Sequence, residues 1–85
     1  MFLSEAFILD VDEILVTQEV SSTVGLVSSS YLFGRIKLAG QLSDKYKIGG
    51  KVLYDPSKVT QVTFQGQSYF YVREPYIYFQ INPTL

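Results

Sequence analysis

Six acidic side chains in this 85-residue chain stand where catalysis or metal binding would have to begin: Asp10, Asp12 and Glu13 within four positions, then Asp44, Asp55 and Glu74 beside turns. A close group of carboxylates offers hard oxygen ligands to calcium or magnesium, but a dedicated loop adds a glycine and further oxygen donors. Asp10, Asp12 and Glu13 lack both, so they are expected to form a solvated strand connection. Hydrolysis by paired carboxylates needs an acid and a base facing one bond, and Asp44, Asp55 and Glu74 have no evident partners. Cysteine and histidine are both absent. That removes thiol nucleophiles, disulfides, Cys or His metal ligands and the usual general base. The expectation is a protein that is not an enzyme, with no catalytic residue, no metal site and no cofactor of its own.

Two other groups of residues could bind rather than react. Tyr69, Tyr71, Tyr76 and Tyr78 fall on outward-alternating positions of two strands, with Arg73 and Lys51 as nearby cations, and bases can stack on such a platform. The formal net charge is −1, however, and phosphate neutralisation normally dominates such binding. Packing against a neighbouring subunit is therefore expected in place of nucleic-acid binding. The second group is the segment 19–30, EVSSTVGLVSSS, where five Ser, one Thr and one Gly surround Val20, Val24, Leu26 and Val27. It is expected to be a flexible excursion with an apolar centre.

The elements that must carry these groups alternate with period two almost throughout. Hydrophobic residues make up 47% of the chain and aromatics 15%, with seven Tyr and six Phe, a composition rich in strand formers. AFILD and EILVTQ are predicted strands, the second with Ile14 and Val16 on one face and Leu15 and Thr17 on the other. YLFGRIKLAG is the next, and Gly34 within it signals a bulge or a close backbone approach. QLSDKYKIGG is a short polar connection and KVLYD a strand closed by a type I turn at Asp55-Pro56. VTQVTF and SYFYVRE flank a three-residue loop, Gln65-Gly66-Gln67, with its glycine at positive φ. In YIYFQI, Ile77, Phe79 and Ile81 alternate with Tyr76, Tyr78 and Gln80. About seven short strands without a usable helix indicate one all-β domain over residues 1–85, a small antiparallel barrel or sandwich. The apolar runs fall short of a membrane span of about 20 residues, and MFLSEAFIL lacks the basic start and small-residue cleavage site of a signal peptide. A soluble intracellular chain is the expectation.

The order of these pieces resembles the GroES-like cochaperonin family, whose subunits run strand, mobile loop, G-x-V-x-x-V-G, V-G-D-x-V-x-F and a terminal Y-x-x-V-x-E-x-D-I-L-A-x-I. Gly34, Ile36 and Gly40 match the first glycine motif. Ile48, Gly49, Val52 and Tyr54 match the second, with Gly50 in the acidic position. Tyr71, Glu74 and Ile77 sit near the landmarks of the last. The similarity spans roughly residues 13–81. The loop is shorter than in typical members, and residues 40–47 are too few for the hairpin that roofs the assembled dome, so the chain is more similar to the compact cochaperonins of bacteriophages. The resemblance implies a GroES-like β-barrel that forms a ring, a heptamer in the family, and caps a GroEL-type chaperonin whose nucleotide belongs to the partner. It implies chaperonin docking through Val24, Gly25, Leu26 and Val27. It implies subunit contacts in which a first strand, Phe7, Ile8 and Leu9, pairs with a neighbour's last strand, Tyr76, Ile77, Tyr78 and Phe79. Its setting would be the cytoplasm, that of the host cell if the gene is carried by a phage. The alternative is the same fold serving as a structural part of a virion or other assembly, without chaperonin binding.

Overall fold

The computed structural model describes residues 3–19 and 32–81. A single helical turn, Leu3–Ala6, precedes six strands: β1 (Glu13–Glu19), β2 (Leu32–Leu38), β3 (Lys51–Tyr54), β4 (Thr60–Phe64), β5 (Gln67–Arg73) and β6 (Ile77–Ile81). They form one antiparallel sheet in the order β4-β5-β1-β2-β3-β6. Among the described residues, β4 and β6 are its two open edges.

One face of the sheet carries the main core, built from Ile14, Val16, Ile36, Val52, Tyr54 and Val72, with Ala39 and Tyr46 at its border. These positions follow the period-two pattern of their strands. The sheet curls around this core. Tyr54 on β3 and Phe70 on β5 lie three strand spacings apart, about 14 Å on a flat sheet, yet their ring centroids are 6.5 Å apart. Gly34 permits the tightest approach. A Cβ there would stand 2.7 Å from Val16 Cγ2 and 2.9 Å from Tyr54 Cε1, so the close-approach expectation holds. The Ile48-Gly49-Gly50 corner is also as expected. Gly49 adopts φ 93°, its N–H donates to Ile36 O, and Gly50 O accepts from Ile36 N–H.

Four local expectations need correction. Residues 6–10 are not a strand: Phe7 N–H donates to Leu3 O, closing the helical turn, and the chain then runs irregularly to β1. The reason is aromatic. Phe7, only 8% exposed, packs against the rings of Phe64, Tyr69 and Tyr71 at centroid distances of 5.6, 5.2 and 5.9 Å. It thereby covers the second face of the sheet near the fully buried Leu15, the register partner of Tyr71. Second, residues 41–50 are more than a polar connection, because Tyr46 is buried against the core. Third, the β4–β5 loop has two residues, since Phe64 pairs with Gln67. Gln65 and Gly66 take φ 52° and 79°, the sign pattern of a type I′ turn matched to strand twist. Fourth, the register of β6 on β3 shifts between Leu53 and Tyr54. Ile77 opposes the inward Tyr54, but Phe79 opposes Leu53 and Ile81 opposes Lys51 on the outer face, while Gln80 opposes the inward Val52. A bulge of one residue thus sends Phe79 and Ile81 away from the core that holds Ile77.

Candidate assembly surface

The bulge gives β6 an outer face that its own chain leaves half uncovered. Phe79 is 49% and Ile81 50% exposed. Phe79 meets the ring of Phe33 on β2 edge to face, with centroids 6.0 Å apart, and Leu53 lies between them in register. Phe33, Leu53, Phe79 and Ile81 therefore make one apolar stripe that reaches the β6 edge. Tyr78, at the bulge, is also about half exposed. On the inner face Gln80 keeps its carbonyl oxygen buried, with no hydrogen-bond partner among the described residues. The opposite edge, β4, presents Thr60, Val62 and Phe64 on the outer face with Tyr69 and Tyr71, and Gln61 and Thr63 on the inner face with Phe70 and Ser68.

Of the residues expected at subunit contacts, Tyr76, Ile77, Tyr78 and Phe79 lie on or beside the β6 edge, but Phe7 does not. Phe7 is used within its own chain, Leu9 borders a shallow groove with Leu38 and Gly40, and Ile8 is fully outward. The N-terminal segment therefore offers no strand to pair. Val24, Gly25, Leu26 and Val27 lie outside the described residues. Phe33 and the β4 edge were missed by the sequence reading, because membership of the stripe depends on the β6 bulge and on strand order, which no local pattern encodes.

Asp10, Asp12, Glu13, Asp55 and Glu74 are occupied structurally. Arg73 Nη1 donates to Asp12 at 2.6 Å and Nη2 to Asp10 at 2.9 Å, with Glu13 at 3.7 Å. Asp10 N–H donates to Glu13 Oε1 and Glu74 N–H to Asp12 O. The acidic group is thus a clamp that fastens the turn before β1 to the end of β5. Its hydrogen bond to Asp10, foremost, and the nearby carboxylates hold the guanidinium above its ordinary pKa. Glu74 and Asp55 also have partners, contrary to expectation. Glu74 accepts from Lys45 Nζ at 2.6 Å and from the Tyr46 hydroxyl at 3.3 Å, and the lysine bond holds its carboxyl below the usual range. Asp55 accepts from the Ser57 backbone at 2.9 Å and hydroxyl at 2.7 Å, which lowers its pKa and caps the turn Pro56–Lys58. Burial pushes the Tyr54 phenol up. Among the described residues, no three His, Cys, Asp or Glu side chains are grouped to hold a metal.

The tyrosine platform does not assemble. Phe7 occupies the face of Tyr69 and Tyr71, Tyr76 lies in the turn Glu74–Tyr76, and Arg73 is held by three carboxylates. Among the described residues, no helix is long and apolar enough to cross a membrane. No protein-family model matches the chain, and no curated protein matches it significantly.

Proposed function

We propose that this protein is a non-catalytic assembly domain, a GroES-like barrel subunit that associates into a ring and serves as the lid of a GroEL-type chaperonin. The observation that carries the assembly part is the β6 edge, where a bulge turns Phe79 and Ile81 out of the core and leaves both half exposed. An apolar edge of this kind invites strand addition unless another chain covers it. Asp10, Asp12, Asp55 and Glu74 are tied into turns and clamps. The lid rests on the motif order over residues 13–81 and on the position of the Ser-rich segment in the sequence, between β1 and β2. Glu19 and Phe33 are register partners, so β1 ends and β2 begins at the same end of the sheet. Docking through Val24, Leu26 and Val27 would be weak for each loop and strong for a ring of them.

The test is co-elution with a bacterial GroEL-type chaperonin on a sizing column, with and without nucleotide, beside the Leu26→Asp variant. Nucleotide-dependent co-elution that the variant loses supports the lid. A stable oligomer that binds no chaperonin in any nucleotide state would favour the alternative, a structural part of a virion or other assembly.

A further inference from the structure

We propose that copies of this chain join head to tail, the β6 edge of one adding to the β4 edge of the next; this rests on the assembly reading above and specifies its interface. Both strands have five residues, Thr60–Phe64 and Ile77–Ile81. Neither contains a charged residue or a proline within its span, whereas natural edges are usually blunted by such residues. Six strands alternating in direction put β4 and β6 antiparallel to each other. A second copy laid beside the first with the same face inward therefore continues the sheet as another antiparallel pair. The two edges also match face by face. On the outer face Phe79 and Ile81 would meet Val62 and Phe64, apolar against apolar. On the inner face Gln80, whose buried carbonyl oxygen lacks a partner, would neighbour the exposed Gln61 and Thr63, polar against polar. A two-fold pairing of β6 with itself would cover β6 but leave both β4 edges, equally uncharged, bare. A head-to-tail interface is heterologous, so it closes into a ring or runs on as a filament. Each five-residue contact is small beside a standard interface of about 800 Å² per partner, which favours closure, where every subunit is held on both sides.

The two edges can be blocked separately. Gln61→Lys with Thr63→Lys charges exposed positions of β4, and Phe79→Lys with Ile81→Lys charges the outer face of β6. The wild type should sediment as an oligomer and each double variant alone as a monomer. An equal mixture of the two should form a dimer with one copy of each, read by native mass spectrometry, because each variant retains the edge the other has lost. If the β4 variant alone still dimerises, the interface is two-fold and the proposal is overturned. An oligomeric wild type with no mixed dimer also overturns it, while leaving assembly by another surface intact. A wild type that stays monomeric at every concentration overturns both this interface and the assembly reading. Circular dichroism melts establish that each variant folds, and single Thr63→Lys and Ile81→Lys changes replace any that does not.

Discussion

Replacing Gly34 by alanine should destabilise the domain, although alanine normally rigidifies a chain to advantage. The added Cβ would stand 2.7 Å from Val16 Cγ2, 3.0 Å from Val16 Cβ and 2.9 Å from Tyr54 Cε1. Carbon atoms pack best at about 3.5–4.0 Å, so the new methyl overlaps two neighbours by more than half an ångström. Neither can retreat easily. Val16 and Tyr54 are fully buried, a β-branched side chain is stiff at χ1, and the Tyr54 ring is backed by Phe70. Overpacking of this kind costs about 1–3 kcal/mol, and the lower entropy of the unfolded chain returns about 0.4–1 kcal/mol. The net loss should be about 1–2 kcal/mol, or a fall of about 5–15 °C in Tm for a domain of this size. The assay is thermal and urea unfolding of Gly34→Ala, Val16→Ala and the double variant. Val16→Ala should cost less in the Gly34→Ala background than in the wild type, because it removes Cγ2, the nearest of the three clashing atoms, and the cycle measures that coupling. A Gly34→Ala variant as stable as the wild type, or more so, would refute the close approach of β1, β2 and β3 at this point.

Phe7→Ala should release the N-terminal segment without unfolding the sheet. A well-packed core phenylalanine costs about 3–5 kcal/mol on truncation, but undocking of the segment limits the loss here to about 1–2 kcal/mol, and faster proteolysis before residue 12 would register it. Gln65→Asn should raise stability by about 0.5–1 kcal/mol, since Gln65 holds φ 52° in a turn where Asn-Gly is the preferred pair; an unchanged urea midpoint would count against the turn type. For Glu74 the folded pKa is depressed below its ordinary 4.5, first by the Lys45 hydrogen bond. Its contribution is therefore present above that value and lost as pH falls through the depressed one. Glu74→Gln should flatten the decline of Tm below about pH 4.5 relative to wild type, while Asp55, also depressed, leaves part of the decline in place.

What local pattern encodes was legible in the sequence. The alternation of Phe70 and Val72 against Tyr69 and Tyr71, the tight turn at Gly66, the corner at Gly49 and the close approach at Gly34 each depend on residues within a few positions, or on the one property a glycine has. What failed depends on distant partners. Ala6–Asp10 has the apolar content of a strand, and only the rings of Phe64, Tyr69 and Tyr71, about 60 residues away, make it a plug instead. Asp10 and Asp12 have an unpaired look until Arg73, 63 and 61 residues on, reaches them. Glu74 acquires its role from Lys45, 29 residues earlier. The chaperonin-docking residues expected at 24–27 are beyond the described part of the fold.

The β6 bulge also changes what the composition means. Read as an unbroken alternation, Ile77, Phe79 and Ile81 would all serve one core, and the strand's apolar content would need no other explanation. With the register shifted after Ile77, only Ile77 faces Tyr54, and the two larger exposures fall on the outer face at an uncharged edge. Lys or Thr at 79 and 81 would leave the inner core intact and cost the fold only outer-face packing such as that of Phe79 on Phe33. Phe and Ile there leave an uncharged apolar edge of the kind that invites pairing with another chain. Phe79→Lys with Ile81→Lys should accordingly cost the isolated domain only about 0.5–1.5 kcal/mol, the worth of the outer Phe79–Phe33 pair, while abolishing its association. A large loss of monomer stability would instead place these side chains in the core and remove the ground for assembly through β6.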